Sequence, residues 1–107
     1  MIPPKTIEDL IAKHSSLEKD LSSSNLNKNQ FAEKSKEYSD LNEIIKPAKK
    51  YLSFEKEKKE LEKILEEQNN DEELKKMAES DLNDLKNDFD INEKKLRLFL
   101  LPKDEAD

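Results

Sequence analysis

His14 is the only histidine, cysteine is absent, and acidic side chains number 26. Together with Ser22-Ser23-Ser24, these are the residues whose types could carry chemistry. A zinc site needs three or four convergent nitrogen, sulfur or carboxylate ligands. His14 has no second histidine or thiolate to join it, and it lies on an apolar helical stripe, so it reads as a residue covering the edge of a core. Catalytic carboxylates need a concave site that pushes their pKa values apart, whereas those of this chain are spread along lysine-rich segments where they stay solvated. Asn69-Asn70-Asp71-Glu72-Glu73 lacks the glycine and the alternating oxygen ligands of a calcium loop. The serine triplet has no general base in view. The sequence therefore predicts no catalytic residue, no metal site and no cofactor site.

The lysines offer a different kind of chemistry. Lys46, Lys49 and Lys50 are the best candidates for contact with a partner, because Pro47 bends the chain beside them and exposes the cluster. Lys56/Lys58/Lys59 and Lys94/Lys95/Arg97 are interleaved with Glu55, Glu57, Glu60 and Glu93, and read as solvated faces with i,i+4 pairs worth ~0.2–0.5 kcal/mol each. A formal charge of −6 and a single arginine supply neither a strong counterion-release effect nor guanidinium forks for phosphate. Direct nucleic-acid binding is not expected.

These side chains must be positioned by helices. The chain has 107 residues with no Gly, and it has no Val and one Thr, which leaves little to build a pleated sheet or a tight hairpin turn. Charged residues make up 43%, yet 26 residues are Leu, Ile or Phe, above the ~20% below which disorder becomes the default. No apolar run approaches ~18 residues, so no membrane span is expected, and Met1 to Ser15 has no signal-peptide core. The absence of cysteine fits a reducing compartment, and a cytoplasmic monomer is expected.

Periodicity supplies the elements. Ile7, Leu10, His14, Leu17 and Leu21 recur at steps of three and four, predicting a first helix over about 7–22 with Thr6 as N-cap. Asn27 with Gln30 has the pattern of a capping box. Phe31, Tyr38, Ile45 and Leu52 then give way beyond Pro47 to Tyr51, Phe54, Leu61 and Leu65, predicting one long helix over about 28–68 that is kinked at Pro47, with a break into two as the alternative. Asn69-Asn70 marks a turn, and Asn70 with Glu73 a second capping box. Leu74, Ala78, Leu82, Leu85, Phe89, Leu96 and Phe99 form the stripe of a helix over about 71–101, which Asn92 interrupts. The short turn makes the last two helices antiparallel, pairing Phe54 with Leu85, Tyr51 with Phe89 and Ile44 with Leu96. The expected architecture is all-α: a three-helix domain with a long antiparallel, coiled-coil-like hairpin and the first helix near its open end.

Three segments carry a family resemblance. Phe31-Ala32-Glu33-Lys34-Ser35-Lys36-Glu37-Tyr38-Ser39-Asp40-Leu41 is similar to "LSKEYAEL", and Glu73-Leu74-Lys75-Lys76-Met77-Ala78-Glu79 is similar to "ELREMAEEEL". Leu98-Phe99-Leu100-Leu101-Pro102-Lys103-Asp104 resembles "LLLLPKDPxD", with Glu105 in place of the second proline. In this order and spacing the chain resembles the N-terminal domain of the bacterial peptide chain release factor 1 family, a class-I release factor family. The resemblance implies a non-catalytic positioning domain of a factor that terminates translation at UAA and UAG. The family's hydrolytic Gly-Gly-Gln loop cannot lie in a chain without glycine. By the same resemblance the partners would be the ribosome, near the GTPase-associated centre of the large subunit, and the release-factor glutamine methyltransferase. A stand-alone helical adaptor or chaperone-like hairpin is the alternative.

Overall fold

A computed structural model describes residues 1–23, 25–67 and 71–102. They form four helices and no strand: α1 (Pro4–Ser22), α2 (Lys28–Asn42), α3 (Ile45–Glu66) and α4 (Glu72–Leu100). The all-α expectation is borne out, with one more helix than periodicity predicted.

The additional helix comes from Pro47. In an unbroken helix over 28–68, its ring would crowd the carbonyl of Glu43 and its missing N–H would leave that carbonyl unpaired. The chain instead tightens, with Glu43 N–H donating to Asp40 O at 3.3 Å and Ile44 N–H to Leu41 O at 3.0 Å. Ile44 leaves the helical region at φ −114°, ψ 1°, and the next ladder bond runs from Ala48 N–H to Ile44 O at 2.9 Å. Pro47 thus occupies the first turn of α3, where N–H groups have no intrahelical acceptor. The single kinked helix is corrected to two helices, and the break lies at Glu43–Ile44 rather than at the proline itself.

The other helix ends follow from local chemistry. Thr6 is not the N-cap of α1; the helix starts three residues earlier, with Pro3 at the N-cap position, because Pro4 suits the first helical position, and Thr6 N–H donates to Pro3 O at 3.1 Å. Ser22 and Ser23 end α1 by turning their hydroxyls back to Glu18 O and Asp20 O; Ser24 lies outside the described residues. The Asn27–Gln30 capping box is present in both directions, at 2.8 and 3.1 Å. At α4 the cap is Asp71, whose carboxylate accepts from Leu74 N–H at 2.6 Å. Asn70, expected in that role, and the Asn69-Asn70 turn lie outside the described residues.

The core gathers at one end. Ile2, Ile7, Leu17, Leu41, Ile44, Ala48, Tyr51 and Leu96 form one buried cluster, with Phe89 and Phe99 packed against it. α1 packs across α2 and α3, while α3 and α4 pair as an antiparallel hairpin. The expected Tyr51–Phe89 pair is a stack with ring centroids 4.8 Å apart, and Phe54 stacks on Phe89 at 4.1 Å. Beyond these rings α3 and α4 continue with a seam of half-buried leucines, Leu61, Leu65, Leu82 and Leu85, around buried Ala78. The result is elongated: the radius of gyration is 18.7 Å, against about 13 Å for a compact chain of this size.

Tyr51 fastens the N-terminus to both helices of the hairpin. Its hydroxyl accepts from Ile2 N–H at 3.0 Å. Its own proton faces Glu93 Oε2 at 3.2 Å and the Ile2 carbonyl at 3.4 Å. Burial pushes the Tyr51 hydroxyl above its ordinary value of 10.0, and the Glu93 carboxylate adds to this against the opposing effect of the Ile2 backbone bond.

Two outcomes follow. Phe54, 8% exposed in the seam, should cost about 3–5 kcal/mol on replacement by Ala, read from the denaturant midpoint. Because Tyr51 ionises later folded than unfolded, its contribution is complete below pH 10.0 and is lost as pH rises through the folded value. Tyr51→Phe should therefore lose less stability than the unmodified chain between neutral pH and strongly alkaline pH, measured by thermal melts across that range.

Candidate functional site

His14 projects from α1 onto α2. Its ring stacks on Tyr38 at 4.7 Å with an interplanar angle of 19°. Its Nε2 lies 2.5 Å from Asn42 Oδ1, which accepts a hydrogen bond when that ring nitrogen carries the proton. On either side of it, Lys13 pairs with Glu37 and Asp20 with Lys34 at 2.6 Å. His14 is thus one rung of a polar ladder joining α1 to α2. Each ion pair is largely exposed and worth about 0–1 kcal/mol, so the ladder sets register more than stability. Among the described residues no group of three or more His, Asp or Glu side chains is placed to hold a metal ion.

Lys46, Lys49 and Lys50 occupy the first two turns of α3, and all three are exposed. Their spacing puts them on one face, within about 100° of arc, opposite buried Ala48 and Tyr51. None of the three forms an ion pair among the described residues. The cluster is therefore a patch of exposed positive charge on the first turns of α3.

The PCRF domain family matches residues 10–107. The chain belongs to that family. Peptide chain release factor 1 of Pelagibacter ubique (strain HTCC1062) is 67% identical over 107 residues, which cover the whole of this chain and 30% of that protein. The chain therefore spans about a third of the length of the curated relative it matches. No solved structure matches it significantly. The resemblance read from Phe31–Leu41, Glu73–Glu79 and the segment beginning at Leu98 is borne out, although Lys103, Asp104 and Glu105 lie outside the described residues.

Two features escaped the sequence reading. Glu57 and Glu60 on α3 face Asp81, Asp84 and Asp88 on α4 across one groove. Asn92, seen in the sequence as an interruption of a stripe, is buried and lines a cavity beside that groove. The signal for the first was present: these carboxylates recur at helical steps flanking the leucine stripe on both partners. No helix among the described residues is long and apolar enough to cross a membrane.

If His14 serves only the α1–α2 ladder, His14→Gln should leave the melting temperature nearly unchanged. Zinc should not raise the melting temperature of the unmodified chain. A rise with zinc would show binding to the folded state and contradict the structural role.

Proposed function

We propose that this chain is the N-terminal positioning domain of a translation termination factor that directs peptide release at UAA and UAG, and that it is itself non-catalytic. The observation that carries this reading is the 67% identity over its whole length to peptide chain release factor 1, of which it spans 30%. Its own chemistry supports the division of labour. Acceleration of ester hydrolysis needs a positioned water and a group that stabilises developing charge. The described surface supplies instead an elongated helical body, a basic patch and an acidic groove.

In this reading the domain acts through surfaces. Lys46, Lys49 and Lys50 provide a contact on the ribosome, near the GTPase-associated centre of the large subunit. The release-factor glutamine methyltransferase is a second partner for the factor as a whole. Rim charges of this kind govern encounter rate and orientation more than hydrolysis. The factor works in the cytoplasm, where ribosomes terminate, and this domain contributes no oligomeric interface.

The test is single-turnover peptide release with a factor lacking these residues, run at saturating and at limiting concentration. Saturation should restore most of the hydrolysis rate, while half-saturation should need far more factor. A rate that stays down by orders of magnitude at saturation, with binding unchanged, would make the domain part of the catalytic machinery. Within the full factor, reversing Lys46, Lys49 and Lys50 to Glu should raise the half-saturating concentration about tenfold at low salt, and less as salt screens the contact.

A further inference from the structure

We propose that the outer face of the C-terminal turns of α4, built on Ile91 and Leu98, is the surface on which the part of the parent factor that follows residue 107 docks. Ile91 and Leu98 are 51% and 69% exposed, and their spacing of about two helical turns stacks them on one face. Phe89, Asn92, Leu96 and Phe99 occupy the opposite face of the same turns, towards the bundle. Leu101, also exposed, carries the apolar surface past the helix end, where Arg97, Leu98, Leu100 and Leu101 line one shallow depression. α4 pairs with α3 through its buried face, and the outer face is left open. Towards the N-terminus of α4 the same face continues with exposed Asn87 and Asp84, so the apolar stretch begins at Ile91.

The length of chain outside this domain points to the occupant. The chain spans 30% of the release factor it matches along its whole length. On the reading proposed above, on which this inference rests, the remainder of the factor follows residue 107. The exit from α4 keeps that remainder close to the patch. Leu101 leaves the helix in an extended conformation, at φ −65° and ψ 138°, and Pro102 favours that conformation in the residue before it. The chain therefore departs beside Leu98 and Leu101 and is not carried farther along the helix axis.

Area and charge narrow the choice further. Ile91, Leu98 and Leu101 offer at most a few hundred Å² of apolar surface, short of the ~800 Å² per partner of a stable complex between separate molecules. A second copy of the chain gains too little from such a patch. A segment joined through the backbone needs less area, because a short tether holds it at an effective concentration in the millimolar range. Lys94 and Lys95 flank the line from Ile91 to Leu98, are exposed, and form no ion pair among the described residues. The docked surface is therefore apolar against Ile91, Leu98 and Leu101 and acidic at its edges.

The test is thiol alkylation of the full-length factor, free of ribosomes, carrying Leu98→Cys or, as a reference, Met77→Cys. Met77 lies near the other end of α4 and is 56% exposed, so the domain by itself gives the two sites similar rates, read by mass spectrometry of the peptides that contain them. Docking predicts that Leu98→Cys reacts at least about tenfold more slowly than Met77→Cys, with the ratio unchanged on dilution of the factor. Adding Ile91→Asp should bring the two rates within about twofold, while hydrogen exchange near buried Tyr51 stays the same, which separates release of the docked part from loss of the fold. Equal rates without Ile91→Asp overturn the proposal, as does slow labelling that survives Ile91→Asp. Protection that disappears on dilution gives the face to a second copy, and protection seen only on the ribosome gives it to the ribosome; each also overturns the proposal. Single-turnover release by the same factor reports on the termination reading separately. Release at UAA and UAG with equal labelling rates removes the docking alone, whereas slow labelling of Leu98→Cys without release removes the termination reading alone.

Discussion

The aromatic junction of Tyr51 with Phe89 and Phe54 holds the two halves of this molecule together. On one side lies a small bundle whose core draws on Ile2, Ile7, Leu17, Leu41 and Leu96. On the other, α3 and α4 run on with only each other for company. An isolated two-helix pair has little apolar area to bury, and most helical stability comes from packing rather than propensity. The arm therefore depends on being anchored where the seam is driest, at rings 4.1–4.8 Å apart. The Tyr51 hydroxyl extends this anchor to the N-terminus through Ile2 and to α4 through Glu93. A straight, held arm is what gives its exposed charges fixed positions.

Pro47 imposes the second constraint. By forcing the helix break upstream at Glu43–Ile44, it lets α2 fold back against α1 while α3 departs along α4. The same bend leaves the first turns of α3 with one face in the core, through Ala48 and Tyr51, and the other bearing Lys46, Lys49 and Lys50 in solvent. A core face and an exposed basic face thus share one short segment. A substitution of Pro47 that straightened the chain would move both.

Much of the fold was legible because its stripes are strongly periodic. The Tyr51–Phe89 register follows from counting outward from a turn, and the Asn27–Gln30 box from two residues of the right type at the right spacing. What was less legible has physical causes. A proline in a long apolar stripe is compatible with a kink or a break, and only the alternative bonding of Glu43 and Ile44 decides between them. Thr6 is a good capping residue, but Pro4 competes for the same helix start with a backbone already set to helical φ. The acidic groove was hidden because charges flanking a seam look the same in sequence whether they are scattered or face each other across it. Asn92 could be seen as an anomaly, but its burial is a property of the packed helices.

The described surface of this PCRF-family chain is an elongated helical body that carries a basic face on α3 and an acidic groove between α3 and α4. The most direct measurement is hydrogen–deuterium exchange of a full-length factor carrying this domain, free and on a ribosome stalled at a stop codon. Contact through the basic face predicts added protection in the first turns of α3 around Lys46–Lys50, with the amides near buried Tyr51 unchanged. Unchanged exchange throughout α3, or loss of protection around Tyr51 on binding, would contradict a rigid domain that engages through that surface.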